Sequence, residues 1–193
     1  MRRVCVYAGS NPGSDPAYAD GARALATRLA ERGIGLVYGG GKVGLMGVLA
    51  DTVLEAGGEA IGVMPQALID REIGHRDLTE LEVVGSMHER KARMAELSDA
   101  FVAVPGGIGT LEELIEVYTW SQLGIHAKAC GLLNVRGYYD HLAAFLDHAV
   151  AEGFLRPQHR AVLSVASEPA ELLDRLAAFE PPAVGKWLEL EES

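Results

Sequence analysis

Short apolar runs that close on glycine, proline or asparagine, each followed by residues at helical spacing, recur along nearly the whole chain. Val4-Cys5-Val6-Tyr7-Ala8 leads into Gly9-Ser10-Asn11-Pro12-Gly13. Tyr18, Ala22, Leu25 and Leu29 then repeat at the period of a helix until Gly33 stops it. Ser14 or Asp15 can cap that helix, with Pro16 in its first turn. The pattern predicts further strands at 34–38, 60–64, 81–84, 100–104 and 130–134, and a seventh at 162–165. Helices are predicted at 45–56, 86–97 (Ser86 capping, Glu89 closing a capping box), from 110, at 138–151 and at 169–179. Residues 66–79 show no period and read as a polar loop. The run at 100–104 is apolar throughout, as an interior strand of a parallel sheet must be.

Strands alternating with helices give an α/β fold: a single-domain, Rossmann-like, doubly wound parallel sheet with helices on both faces, over residues 1–180. Residues 181–193 read as an acidic tail. Such sheets bind ligands beyond the carboxyl ends of their strands, where the strand order reverses. Seventeen Lys and Arg against 27 Asp and Glu leave a net charge of −10, which argues against a nucleic-acid partner. No run reaches the ~18–20 apolar residues of a membrane span. Cys5 and Cys130 sit in apolar runs and read as buried free thiols, and no leader pattern opens the chain, so a cytoplasmic protein is expected.

Two glycine loops fall at the predicted ligand edge. In Gly39-Gly40-Gly41-Lys42-Val43-Gly44-Leu45-Met46-Gly47, the residues Gly39, Gly41 and Gly44 satisfy a dinucleotide-type G-x-G-x-x-G spacing. The acid expected at the end of the next strand is missing, since Glu59 stands at its amino end. Nor is this a Walker loop, because Val43 follows Lys42 where a Ser or Thr would hold magnesium. The second loop is Pro105-Gly106-Gly107-Ile108-Gly109-Thr110. Helix packing explains either loop alone; two at one sheet edge point to a nucleotide, with backbone N–H groups around its phosphate.

Glu113, one turn into the helix after the second loop, is a candidate catalytic carboxylate. Thr110-Leu111-Glu112-Glu113 is equally a capping box, and spacing leaves both readings open. Arg90 sits one turn into the helix capped by Ser86, either on a solvated face or, because Met87, Met94 and Leu97 are apolar, turned inward. Arg71 and Glu72 lie in the polar loop. Met46, Met64, Met87 and Met94 read as core filler. The six histidines lack metal-site spacing, and no nucleophile elbow occurs.

These segments together resemble the LONELY GUY family, the cytokinin riboside 5′-monophosphate phosphoribohydrolases. The resemblance rests on Val37-Tyr38-Gly39-Gly40-Gly41 with Gly44-Leu45-Met46-Gly47, on Met87-His88-Glu89-Arg90-Lys91 with Met94, and on Pro105 through Glu113 as P-G-G-x-G-T-x-x-E. It includes Trp120-Ser121-Gln122-Leu123-Gly124-Ile125-His126 and spans the chain from Val4 to Phe179. It implies hydrolysis of the N-glycosidic bond of an N6-substituted AMP, with AMP itself a further candidate substrate, to free base and ribose 5-phosphate. It assigns catalysis to Arg90 and Glu113. Nucleotide contact falls to Glu72, Lys91, Gly107, Ile108, Gly109, Thr110, Leu111, Glu112 and Thr119, with Gly106 and the loop Gly39, Gly40 and Gly41 also expected to bind substrate. No metal or cofactor is implied, and a homodimer with active sites near the subunit interface is. Family members have been labelled lysine decarboxylases, a name that the four lysines of this chain do not support. Related folds with similar loops carry molybdenum cofactor, so the alternative is a non-catalytic nucleotide or molybdenum-cofactor binding protein. A nicotinamide-dependent oxidoreductase rests on the first glycine spacing alone.

Overall fold

The structure is a computed structural model that describes residues 1–69 and 74–182. Seven strands form one sheet: β1 (Arg3–Tyr7), β2 (Gly35–Tyr38), β3 (Ala60–Pro65), β4 (Glu80–Val84), β5 (Ala100–Ala103), β6 (Ala129–Leu133) and β7 (Leu163–Ala166). The helices between and after them are α1 (Pro16–Glu31), α2 (Gly44–Glu55), α3 (Gln66–Ile69), α4 (Met87–Leu97), α5 (Ile108–Gln122), α6 (Asp140–Ala151), α7 (Pro157–Arg160) and α8 (Pro169–Ala177). Every strand pair is parallel, in the order β4-β3-β2-β1-β5-β6-β7. The doubly wound sheet read from the sequence is therefore what forms. Its order reverses between β1 and β5, so the loops after these two strands depart in opposite directions and open a crevice between them.

Side chains alternate strictly across the sheet. Val4, Val6, Leu36, Tyr38 and Val102 face one core with α1, α2 and α8; Cys5, Tyr7, Val37, Phe101 and Ala103 face the other with α4, α5 and α6. Burial on both faces is why these runs are apolar throughout. Asp15 caps α1, accepting from Ala17 N–H at 2.9 Å, and Ser86 caps α4, accepting from Glu89 N–H at 3.1 Å. The Glu89 carboxylate accepts from Gly85 N–H, one residue before the expected capping-box partner. Cys5 and Cys130 are buried and free.

Several expectations need correction. The stretch 66–79 is not loop throughout: α3 occupies its start, and the one-turn α7 was also unforeseen, each being too short to show a period. His75, in the same stretch, is buried, with Nε2 2.7 Å from Asp51 Oδ1. The helix expected from 138 begins at Asp140, after a 3-10 turn at Val135–Gly137 with Arg136 at φ 52°. Met64 and Met94 fill cores, but Met87, the first residue of α4, is exposed over the Arg90 guanidinium. No helix among the described residues is long and apolar enough to cross a membrane.

Candidate active site

One turn into α4, Arg90 points back over the carboxyl ends of β2 and β3. Its Nε donates to Val63 O at 3.1 Å and its Nη2 to Gly39 O at 3.4 Å. A Cβ on Gly39 would overlap Nη2, so this glycine clears the path for the guanidinium. Nη1 lies 3.2 Å from Glu113 Oε1, and the two side chains are only 11% and 12% exposed. The arginine is thus no solvated helix-face residue.

Glu113 is not a capping residue either. Gly107 caps α5 and the helix begins at Ile108, which makes Thr110 its third residue rather than its cap. The carboxylate is left to Arg90. Burial pushes its proton affinity above the ordinary carboxylate range; Arg90 and Lys91 pull it down, while Glu112 and Glu116 push it up. The centre therefore offers a desolvated carboxylate whose charge is held by one fixed guanidinium.

The two glycine loops divide their tasks. The first is taken up by the protein itself: Gly39 O by Arg90, Gly40 O by His75 N–H at 3.0 Å, and Gly41 by a bridge to Gly74. Gly44, at φ +59°, lies against the backbone of Ser10 and Asn11, and Leu45 N–H donates to Gly9 O at 2.9 Å. In the second loop, Gly106 has no space for a Cβ beside the Thr110 side chain and Gly9 N. Gly107 and Gly109 differ: nothing lies within 4 Å of where their Cβ atoms would be, and neither has a positive φ. The fold does not require glycine there. These two residues open the amino end of α5, whose first N–H groups precede the first helical bond, Leu111 N–H to Gly107 O.

Beside that helix end, the switch-point crevice holds a cavity of about 270 Å³ lined by Ser10, Asn11, Tyr18, Leu45, Gly107 and Tyr138, among others. Tyr138 Oη donates to Gly106 O at 2.6 Å, and its ring meets Tyr18 edge-on. None of Ser10, Asn11, Tyr18 or Tyr138 stood out as a site residue in the sequence, because each lies in an unremarkable loop or helix. A larger cavity, about 590 Å³, lies at the opposite edge of the sheet around Arg2, Arg3, Glu59 and Asp99, remote from Arg90 and Glu113.

The remaining expected site residues fall into two groups. Lys91 and Glu112 adjoin the pair, the ammonium lying 2.5 Å from Glu112 Oε1. Leu111 packs against the core formed with α4 and α5. Ile108 and Thr119 are exposed, and Thr119 stands about 1.7 turns beyond Glu113 with its hydroxyl donating to Ile115 O. The structure does not bring Thr119 to Arg90 and Glu113 within one chain. Arg71 and Glu72 lie outside the described residues. Among those described, no group of three or more His, Cys, Asp or Glu side chains is placed to hold a metal ion.

Comparison with known proteins adds to this geometry. The family model described as "Possible lysine decarboxylase" matches residues 46–176. A rice protein (Oryza sativa subsp. japonica) named as a probable cytokinin riboside 5′-monophosphate phosphoribohydrolase is 54% identical over 182 residues, 94% of this chain and 74% of the relative. An Arabidopsis thaliana cytokinin riboside 5′-monophosphate phosphoribohydrolase is 50% identical over 181 residues, 94% of this chain and 85% of the relative. Among solved structures, a molybdenum cofactor binding protein from Rippkaea orientalis is similar with a TM-score of 0.69 at 21% identity, covering 92% of this chain and 96% of that one. The molybdenum cofactor carrier protein of Chlamydomonas reinhardtii gives 0.69 at 20%, with 93% and 99% covered. At such identities these two share the fold alone. A decarboxylase of the pyridoxal-phosphate type would need a lysine free to form a Schiff base; Lys91 is locked between carboxylates, Lys128 donates to Ala95 O, and Lys42 lies 3.5 Å from Asp77 Oδ2. Among the described residues none of these three lysines fits that group, and Lys186 lies outside them. From the half-identical relatives and the matched model, this chain belongs to the LONELY GUY family of cytokinin riboside 5′-monophosphate phosphoribohydrolases.

Proposed function

We propose that the protein hydrolyses the N-glycosidic bond of N6-substituted adenosine 5′-monophosphates, and of AMP, to the free base and ribose 5-phosphate. The observation that carries this reading is the largely buried Arg90–Glu113 pair, which joins α4 to α5, the helix whose open amino end faces the crevice. Glu113 stands five residues after Ile108, about 7.5 Å along the helix axis, which is the scale of a ribose 5-phosphate. With the 5′-phosphate on the amino end of α5, C1′ comes beside Glu113. Breaking the bond from C1′ to the purine nitrogen builds positive charge on the sugar. The Glu113 carboxylate can stabilise that charge, attack C1′, or take a proton from water, and each role needs the ionised form. Arg90 holds the carboxylate in place through their ion pair. Binding of the remote phosphate is converted into alignment at C1′.

Incubation of the purified protein with isopentenyladenosine monophosphate and with AMP is expected to release base and ribose 5-phosphate in equal amounts. No release from either substrate would end this reading. Gly109→Ala tests the phosphate cradle separately. Alanine in a helix is favoured over glycine by about 1 kcal/mol, so the variant is expected to melt at or slightly above wild type. The added methyl projects into the open end of α5, and KM is expected to rise about tenfold, a loss of about 1.4 kcal/mol in binding. An unchanged KM would remove the phosphate from this helix end.

The homodimer belongs to the same reading. Ile108 (82% exposed), Ile115, Leu123 and Ile125 form an apolar stripe along and just past α5, and Thr119 lies on it. A second copy covering that stripe would bring its surface next to the reactive pair. Sedimentation is expected to give twice the chain mass, and a monomer at working concentration would contradict it.

A further inference from the structure

Arg90 is accounted for by Glu113, but its neighbour Lys91 is held in a way the reaction does not explain. The Lys91 side chain is 8% exposed, with Nζ 2.5 Å from Glu112 Oε1 and 3.1 Å from Glu116 Oε1. Glu112 and Glu116 are one turn apart on α5, so they straddle the ammonium from one helix face. Burial works against its charge; the two carboxylates outweigh this and raise its proton affinity. The Glu116 side chain is 26% exposed, yet its Oε2 is buried and has no hydrogen-bond partner among the described residues. An ordinary surface carboxylate keeps both oxygens in water. Here one oxygen is withdrawn from solvent and the other is committed to Lys91, an arrangement that costs stability and so calls for an explanation.

The seam between α4 and α5 thus carries two cations and three carboxylates in two sets: Arg90 with Glu113, and Lys91 with Glu112 and Glu116. Glu113 faces Arg90 and Lys91 from α4, Glu112 and Glu116 from its own helix, and Cys5 and Tyr7 from β1 beneath. Burial holds the thiol and the phenol above their ordinary ranges, so both stay neutral. Among the described residues, four charged groups therefore act on the reacting carboxylate, and only Arg90 touches it as an ion pair. We infer that Glu116 is a positioning residue for the reaction: with Glu112 it fixes the Lys91 ammonium at the α4–α5 seam and offsets its charge, so that Glu113 answers to one cation instead of two. This inference rests on the N-glycosidase reading.

The test is the acidic limb of kcat/KM against pH, measured with AMP or isopentenyladenosine monophosphate. Glu116→Gln keeps the shape and removes the charge, so Glu113 releases its proton more readily and the limb moves to lower pH. Lys91→Met removes the opposing charge and moves the limb to higher pH. One pH unit below the wild-type half-point, Glu116→Gln is expected to retain several-fold more of its own maximal kcat/KM than wild type, and Lys91→Met several-fold less. Glu112→Gln, at a more exposed carboxylate, is expected to shift the limb in the direction of Glu116→Gln by a smaller amount, and it serves if Glu116→Gln does not fold. Lower rates with the limb unmoved, or shifts of the same sign in Glu116→Gln and Lys91→Met, would overturn the inference. If wild type releases no base at all, the functional reading fails first. The 13C titration of the Glu113 carboxyl, assigned by its loss in Glu113→Gln, then decides the charge relation through the same opposed shifts.

Discussion

Glu113→Gln is expected to lower kcat by about 10²–10⁴-fold, the range commanded by a positioned acid–base group, while nucleotide affinity stays close to wild type. Glutamine fills the same volume and still offers Arg90 Nη1 an oxygen to donate to, so the seam between α4 and α5 keeps its shape. What disappears is the negative charge at C1′. The stability effect has a definite sign. Burial raises the proton affinity of Glu113 in the folded protein, so the stability tied to its protonation is fully present below the ordinary carboxylate range and is lost as pH rises through the raised value. At neutral pH the wild-type protein carries this cost and the glutamine variant does not. The variant is therefore expected to melt no lower than wild type near neutrality and to lose that advantage in acid. Base release followed chromatographically, calorimetric binding of AMP and thermal melts at two pH values check the three parts. A variant with full turnover would remove Glu113 from the chemistry.

Gly39→Ala is the second large effect expected, from one methyl group with no chemistry of its own. The backbone at Gly39 has no positive φ, so alanine is not strained there. Its Cβ would instead occupy the position of Arg90 Nη2, and the guanidinium would have to leave Gly39 O and Val63 O, moving away from Glu113. A displacement of about 1 Å at such a centre costs on the order of 10² in rate, and overpacking costs about 1–3 kcal/mol in stability. A mutant cycle isolates the cause. In an Arg90→Ala background the new methyl has free space, and Gly39→Ala is expected to cost almost nothing further. Additive losses in the double variant would mean that Gly39 acts on something other than Arg90.

That glycine shows where a sequence stops being legible. Apolar runs buried on both faces can be read directly, since a parallel strand needs little beyond its own residues to declare itself. The parallel sheet and a cleft beyond the carboxyl ends of its strands followed from the alternation; the strand order and the reversal beside β1 came only with the structure. The meaning of Gly39-Gly40-Gly41 did not. A row of glycines says that something comes close to the backbone; it does not say whether that is a ligand or the protein's own arginine from 51 residues away. Thr110 and Glu113 show the same limit. Their spacing fits a capping box, and only the start of α5 at Ile108 releases the carboxylate from that duty. The role of Glu116 was hidden for a further reason, because one turn along a helix carries no hint of which cation will arrive from across the seam.

The route of the chain into α4 has a consequence of its own. This helix leaves the sheet at its outermost strand, β4, and delivers the chain to β5 on the far side of β1, passing beneath three strands as it does. Arg90 rides on that crossing, with one hand on the β2 and β3 half and the other on α5 of the opposite half. Neither half-sheet alone could bring Arg90 to Glu113. In a molecule whose halves had formed but not joined, both charges would sit in water and neither would be poised to act, so competence for chemistry arrives together with the closing of the sheet.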